Sequence, residues 1–157
     1  MMDLDNKVSL VTGAGQGIGE GIAKNLASKG SKVIVVDLNQ QSSENVAEEI
    51  NKKFPNTAYS FQADLTKIDE IESMLEFGVL KFNKIDCICN NAASSKGIGP
   101  VESYSLEDVQ ATLDLTFTSL WKCLQAEIRF LKQQSVTASV VNISSNSALK
   151  GYAFNSI

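Results

Sequence analysis

Gly13, Gly15, Gly17 and Gly19 fall within "TGAGQGIGEGIA", directly after the β-branched run "KVSLVT". Glycine admits positive φ and lets backbone come close to a ligand. A helix that starts in such a turn also has unpaired N–H groups that attract phosphate. Between a strand and a helix, the pattern points to a pyrophosphate-bearing ligand. No Gly-Lys-Ser/Thr follows, which argues against a triphosphate P-loop. Much later, Ser144, Ser145, Asn146 and Ser147 follow an apolar run from Ser139 to Ile143 and place hydroxyls at a strand end. The sequence contains no histidine, so neither a Ser-His-Asp nor a Cys-His nucleophile system can be assembled. Acid–base chemistry is left to carboxylates, lysine, tyrosine or a cofactor. Cys87, Cys89 and Cys123 lack metal-site spacing, and buried thiols are their expected state.

Positioning such groups requires regular elements, and short β-branched runs alternate with helical patterns along the chain. "KVSLVT" (Lys7 to Thr12), "KVIVVD" (Lys32 to Asp37), "AYSFQA" (Ala58 to Ala63), "IDCICN" (Ile85 to Asn90) and "SVVNIS" (Ser139 to Ser144) read as strands. Several are apolar on both faces, as in a parallel sheet covered on both sides. Ile18, Ile22 and Leu26, then Val46, Ile50 and Phe54, keep helical spacing, and the second helix should stop before Pro55. Thr66 to Asp69 and Ser105 to Asp108 have the spacing of capped helix starts. Val109, Leu113, Phe117, Leu120, Leu124, Ile128 and Leu131 then sustain one apolar stripe over a long helix. The expected fold class is α/β: a doubly wound parallel sheet, Rossmann-like, in three α/β/α layers that stops after its fifth strand. Residues 1–157 are expected to form one domain, incomplete at its C-terminus.

A net charge of −4 leaves no basic stripe for a nucleic-acid partner. The opening "MMDLDNK" is unlike a signal peptide, and no apolar run reaches membrane-spanning length. A cytoplasmic enzyme or binding domain is the expectation.

Glycine spacing narrows the class. The G-x-G-x-x-G pattern would need glycine where Ile18 stands, whereas Thr12-Gly13-x-x-x-Gly17-x-Gly19 matches the fingerprint of the short-chain dehydrogenase/reductase family. Asp64-Leu65 after the third strand, Asn90-Asn91-Ala92 after the fourth and Ser144-Ser145 after the fifth extend the resemblance. Ala93 stands where that family's Asn-Asn-Ala-Gly motif has glycine, which suits a position without positive φ.

This resemblance implies a dinucleotide held by Gly13, Gly15, Gln16, Gly17, Ile18 and Gly19. Asp37, 18 residues beyond Gly19, can accept hydrogen bonds from both adenosine ribose hydroxyls and repel a 2′-phosphate. Neither Gln16 nor Leu38 supplies the cation found in phosphate-preferring relatives, so NAD is favoured over NADP. Asp64 would bond the adenine amino group and Leu65 line its pocket. Asn90, with Asn91 and Ala92, would wall the ribose side. Ser145 would polarise a substrate oxygen. The family's proton donor is a tyrosine about a dozen residues after that serine, with a lysine one helical turn later. Counting from Ser145 places it at about position 158, past Ile157. Tyr152 is a poor substitute because Ser156, not lysine, lies four residues on. Thr116 stands where the family has a relay asparagine.

The resulting expectation is hydride transfer between a nicotinamide and a small secondary alcohol or ketone, with this length inactive by itself. A homo-oligomer is expected for the intact relative, paired through the long helix. Two rivals are a non-catalytic dinucleotide-binding module and an S-adenosylmethionine methyltransferase. The spacing from Thr12 to Gly19 argues against the second.

Overall fold

The computed structural model describes residues 4–93, 99–134 and 137–151. Valine, isoleucine and leucine occupy both faces of β1 (Val8–Thr12) and β2 (Lys32–Asp37), and β1 is buried throughout. With β3 (Ala58–Gln62), β4 (Cys87–Asn90) and β5 (Ser139–Asn142) they form one sheet, all neighbours parallel, in the order β3-β2-β1-β4-β5. Having reached one edge at β3, the chain crosses back to lay β4 beside β1. A crevice opens at the carboxyl ends of the strands where the order reverses.

Helices α1 (Gly17–Ser28) and α2 (Gln40–Lys53) cover one face. Ala23 and Ala27 of α1, with Val46 and Ile50 of α2, pack on Val11, Val33 and Val35. On the other face, Ile71, Met74 and Leu75 of α3 (Ile68–Phe82) pack against Leu10, Ile34 and Ile88. The three expected layers are present. Phe54 caps the end of α2 immediately before Pro55, where a further helical residue would clash.

Two local expectations are corrected. Ser105 and Asp108 do form a reciprocal capping box at α4 (Leu106–Leu113), whereas Thr66 caps nothing. Its hydroxyl donates to Asp64 Oδ1 at 2.7 Å, and α3 starts after Lys67 without a side-chain cap. The long helix is also interrupted. A π-helical turn (Asp114–Thr118) separates α4 from α5 (Ser119–Gln134), and the Ser119 hydroxyl donates back to the Leu115 carbonyl, a bond that bends helices. The wider turn resets the phase of the residues beyond it. Thr112, Ser119, Cys123, Ala126 and Glu127 are the buried side chains of this stretch. Leu113, Phe117 and Ile128 of the expected stripe are 49%, 68% and 49% exposed.

Candidate functional site

Backbone geometry at the first β–α turn explains its glycines. Gly13 has φ +60°, and a Cβ there would lie 2.8 Å from the Cα of Ala92. Gly19, in the first turn of α1, would drive a Cβ to 2.2 Å from the Gly13 carbonyl oxygen and 2.5 Å from Asn91 Nδ2. Strand, turn and helix meet more closely than any side chain allows. Asn91 locks this junction by donating from Nδ2 to the carbonyls of Thr12 and Gly13, at 3.0 and 3.1 Å. The buried Thr12 hydroxyl accepts from the N–H groups of Asn91 and Ala92. Ala93 is not among the described non-glycine residues with positive φ, so alanine is unstrained there.

A cavity of about 460 Å³ opens over this junction at the carboxyl edge of the sheet. Gly13, Gln16, Gly17 and Ile18 form its floor, and Val36, Asp37 and Leu38 bring in the end of β2. Ala63, Asp64 and Leu65 contribute from beyond β3, and Asn91, Ala92 and Ala93 from beyond β4. Ten expected site residues therefore share one cavity.

Its polar walls are already oriented. Asp37 Oδ2 accepts the Gly15 N–H at 2.8 Å, and Oδ1 accepts that of Asn39 at 2.9 Å. Each oxygen keeps a further lone pair for a ligand. Asp64 Oδ1 accepts from both the backbone and the hydroxyl of Thr66, which hold its pKa below the ordinary carboxylate value. Gln16 precedes α1 without bonding it through its side chain, so the first-turn N–H groups have no side-chain cap.

Four expected residues lie outside the lining. Gly15 and Gly19 act one step away, through the bond to Asp37 and the close packing on Gly13. Asn90 takes a different place from the ribose wall: its amide donates to Glu127 and Asn142 beneath the site, at 3.0 and 3.1 Å. Ser145 stands exposed beyond the end of β5, its Oγ accepting the Ser147 N–H at 3.1 Å. Tyr152 lies outside the described residues, and Thr116 sits exposed in the π-helical turn. Sequence reading missed Leu115, which reaches the cavity from that turn. A regular helical repeat gives no sign of it.

Residues 7–157 match the short chain dehydrogenase family. The chain belongs to the short-chain dehydrogenase family. It is 30% identical over all 157 residues to an uncharacterized oxidoreductase of Staphylococcus epidermidis, covering 66% of that protein. Among solved structures it resembles an NAD⁺-bound xylitol dehydrogenase with a TM-score of 0.90 at 29% identity, over 98% of this chain and 58% of that one. A 3-ketoacyl-(acyl-carrier-protein) reductase of Brucella melitensis complexed with NADH gives a TM-score of 0.89 at 28% identity, over 97% of this chain and 62% of that one. The chain thus spans about two thirds or less of these relatives. Membership in the short-chain dehydrogenase family displaces the methyltransferase alternative.

Proposed function

We propose that the chain is the dinucleotide-binding part of an NAD-dependent oxidoreductase acting on a small secondary alcohol or ketone. The observation that carries this reading is the Asp37 carboxylate, fixed in the cavity wall by the Gly15 N–H at 2.8 Å. From there it can accept from ribose hydroxyls, and it would repel a 2′-phosphate that neither Gln16 nor Leu38 could neutralise. The uncapped start of α1 suits the pyrophosphate, while Asp64 and Leu65 suit an adenine edge and face. When bound, the nicotinamide supplies or takes up a hydride.

Ser145 is the proposed group for the substrate oxygen. Because its Oγ accepts from Ser147, its O–H is left to donate. A serine hydroxyl is a weak acid, so a separate proton donor is needed. No tyrosine in the 157 residues is followed four places on by lysine. This polypeptide should therefore bind dinucleotide without turning over, forfeiting a factor of roughly 10²–10⁴.

A non-catalytic dinucleotide-binding module is the second reading. NADH absorbance with secondary alcohols and ketones separates them, run on this polypeptide and on one extended through a Tyr-x-x-x-Lys helix from a short-chain relative. The enzyme reading predicts turnover only in the extended chain, reduced sharply by Ser145→Ala with dinucleotide affinity spared. Silence in both chains would favour the module. Turnover by the shorter one would assign proton transfer to another group, Tyr152 first.

We further propose a homo-oligomer that covers the apolar side chains exposed on α5. Free thiols at all three cysteines suit a reducing, cytoplasmic compartment. No helix among the described residues is long and apolar enough to cross a membrane.

A further inference from the structure

Beneath the cavity lies a carboxyl group that neither cofactor binding nor hydride transfer employs. Glu127 of α5 is 0% exposed. Its Oε2 accepts from Asn90 Nδ2 at 3.0 Å, and its Oε1 has no partner. Asn90 is in the same position: Nδ2 serves both Glu127 and Asn142 Oδ1, while its own Oδ1 has none. Two buried acceptors without donors therefore sit on two side chains already bonded to each other. Leaving both unmade is costly, and a single proton removes the deficit. Placed on Glu127 Oε1, it turns that atom into the donor that Asn90 Oδ1 lacks.

We propose that Glu127 is a positioning residue, carried as the neutral acid in a reciprocal acid–amide pair with Asn90, which clamps the ends of β4 and β5 together below the dinucleotide cavity. This rests on the fold alone and holds whichever dinucleotide binds. The clamp is well placed to matter. Asn90 and Asn142 are directly paired in the β4–β5 register, and the Ile143 N–H donates to the Asn90 carbonyl at 2.9 Å. Ser145 follows two residues later, while Asn91, next to Asn90, holds the glycine turn.

The surroundings favour the neutral form. No ion pair reaches Glu127 among the described residues. From its own helix Cys123 lies one turn away, with its thiol pushed up to about 12 by burial, and Arg129 is exposed. From α3, Glu72 and Glu76 line an outer groove with Ala126 and Arg129. On β4 and β5 the facing groups are the uncharged Asn90 and Asn142. Asp86, just before β4, is occupied with Lys7 and Lys84.

Two variants and two measurements test the clamp. Infrared difference spectra of the native chain against Glu127→Gln should show a protonated-carboxyl band below about pH 7 that fades above it. Glutamine reproduces the neutral acid's donor and acceptor, so Glu127→Gln should keep native hydrogen-exchange protection at the Ile143 amide. Glu127→Leu should lose on the order of tenfold there while β1–β2 amides are unaffected. Should the leucine variant fail to fold, the glutamine variant and the spectrum still decide. A carboxylate spectrum at every pH would overturn the proposal, as would loss of Ile143 protection in Glu127→Gln or full protection in Glu127→Leu.

Discussion

Burial lifts the Glu127 carboxyl from its ordinary value of 4.5 to about 7, with the Asn90 hydrogen bond opposing it in part. Its linkage to stability has a definite sign. Between those two values the unfolded chain has released a proton that the folded chain retains, so stability falls as pH rises and levels off above about 7. The gap corresponds to about 3 kcal/mol. With no histidine in the sequence, few other groups titrate in that window. Asp64 and Asp86 are shifted downward and contribute stability that is lost only in more acidic solution. Urea melts across the window should show the native midpoint declining with pH and a flatter profile for Glu127→Gln. A native midpoint that rises would contradict a buried neutral acid. Gly19 gives a second residue-scale prediction. In Gly19→Ala, the Cβ, 2.2 Å from the Gly13 carbonyl, must push turn and helix apart. That should cost about 1–3 kcal/mol and weaken dinucleotide binding at least tenfold, measured by thermal melt and titration.

At the scale of elements, the sequence made the strands legible because their signal is local. "KVIVVD" became β2 residue for residue, and the others ended within two residues of expectation. The glycine turn and the strand-end acids were equally readable, since each works through neighbours at a fixed offset. The long helix was harder to read. Its apolar spacing from Val109 to Leu131 assumes an uninterrupted repeat, and the π-helical turn at Asp114–Thr118 breaks that assumption. The consequence is that Cys123, Ala126 and Glu127 face inward while Phe117 and Trp121 are 68% and 65% exposed. Glu127 was invisible for a related reason. In "LQAEIRF" it reads as one more charge on a solvated face, and only the fold brings Asn90 and Asn142 to it. Thr66 shows how a short polar motif misleads, because its hydroxyl had a nearer partner in Asp64.

On the scale of the whole molecule, two apolar surfaces of different origin stand out among the described residues. One is the outer face of α5 and the turn before it, where Phe117, Trp121 and Ile128 stand exposed. The other is β5, an edge strand on which Val141 is exposed, continuing into the exposed Ile143. Unpaired edges and contiguous apolar patches favour association. Sedimentation should therefore show concentration-dependent self-association of the 157-residue polypeptide, weakened by Trp121→Glu. A monomeric, cooperative and highly stable chain would mean that these faces are tolerated in water.

As proposed, the cavity at the sheet's carboxyl edge selects NAD(H) through Asp37. Calorimetric titration of the polypeptide with NADH and NADPH tests it most directly. The lost ribose bonds and the repulsion of a 2′-phosphate should together cost about 1–3 kcal/mol, roughly a tenfold to hundredfold preference for NADH. Asp37→Ala should shrink that gap, mainly by weakening NADH. Equal affinities for the two dinucleotides, or an Asp37→Ala variant that keeps the native preference, would rule out Asp37 as the selecting group.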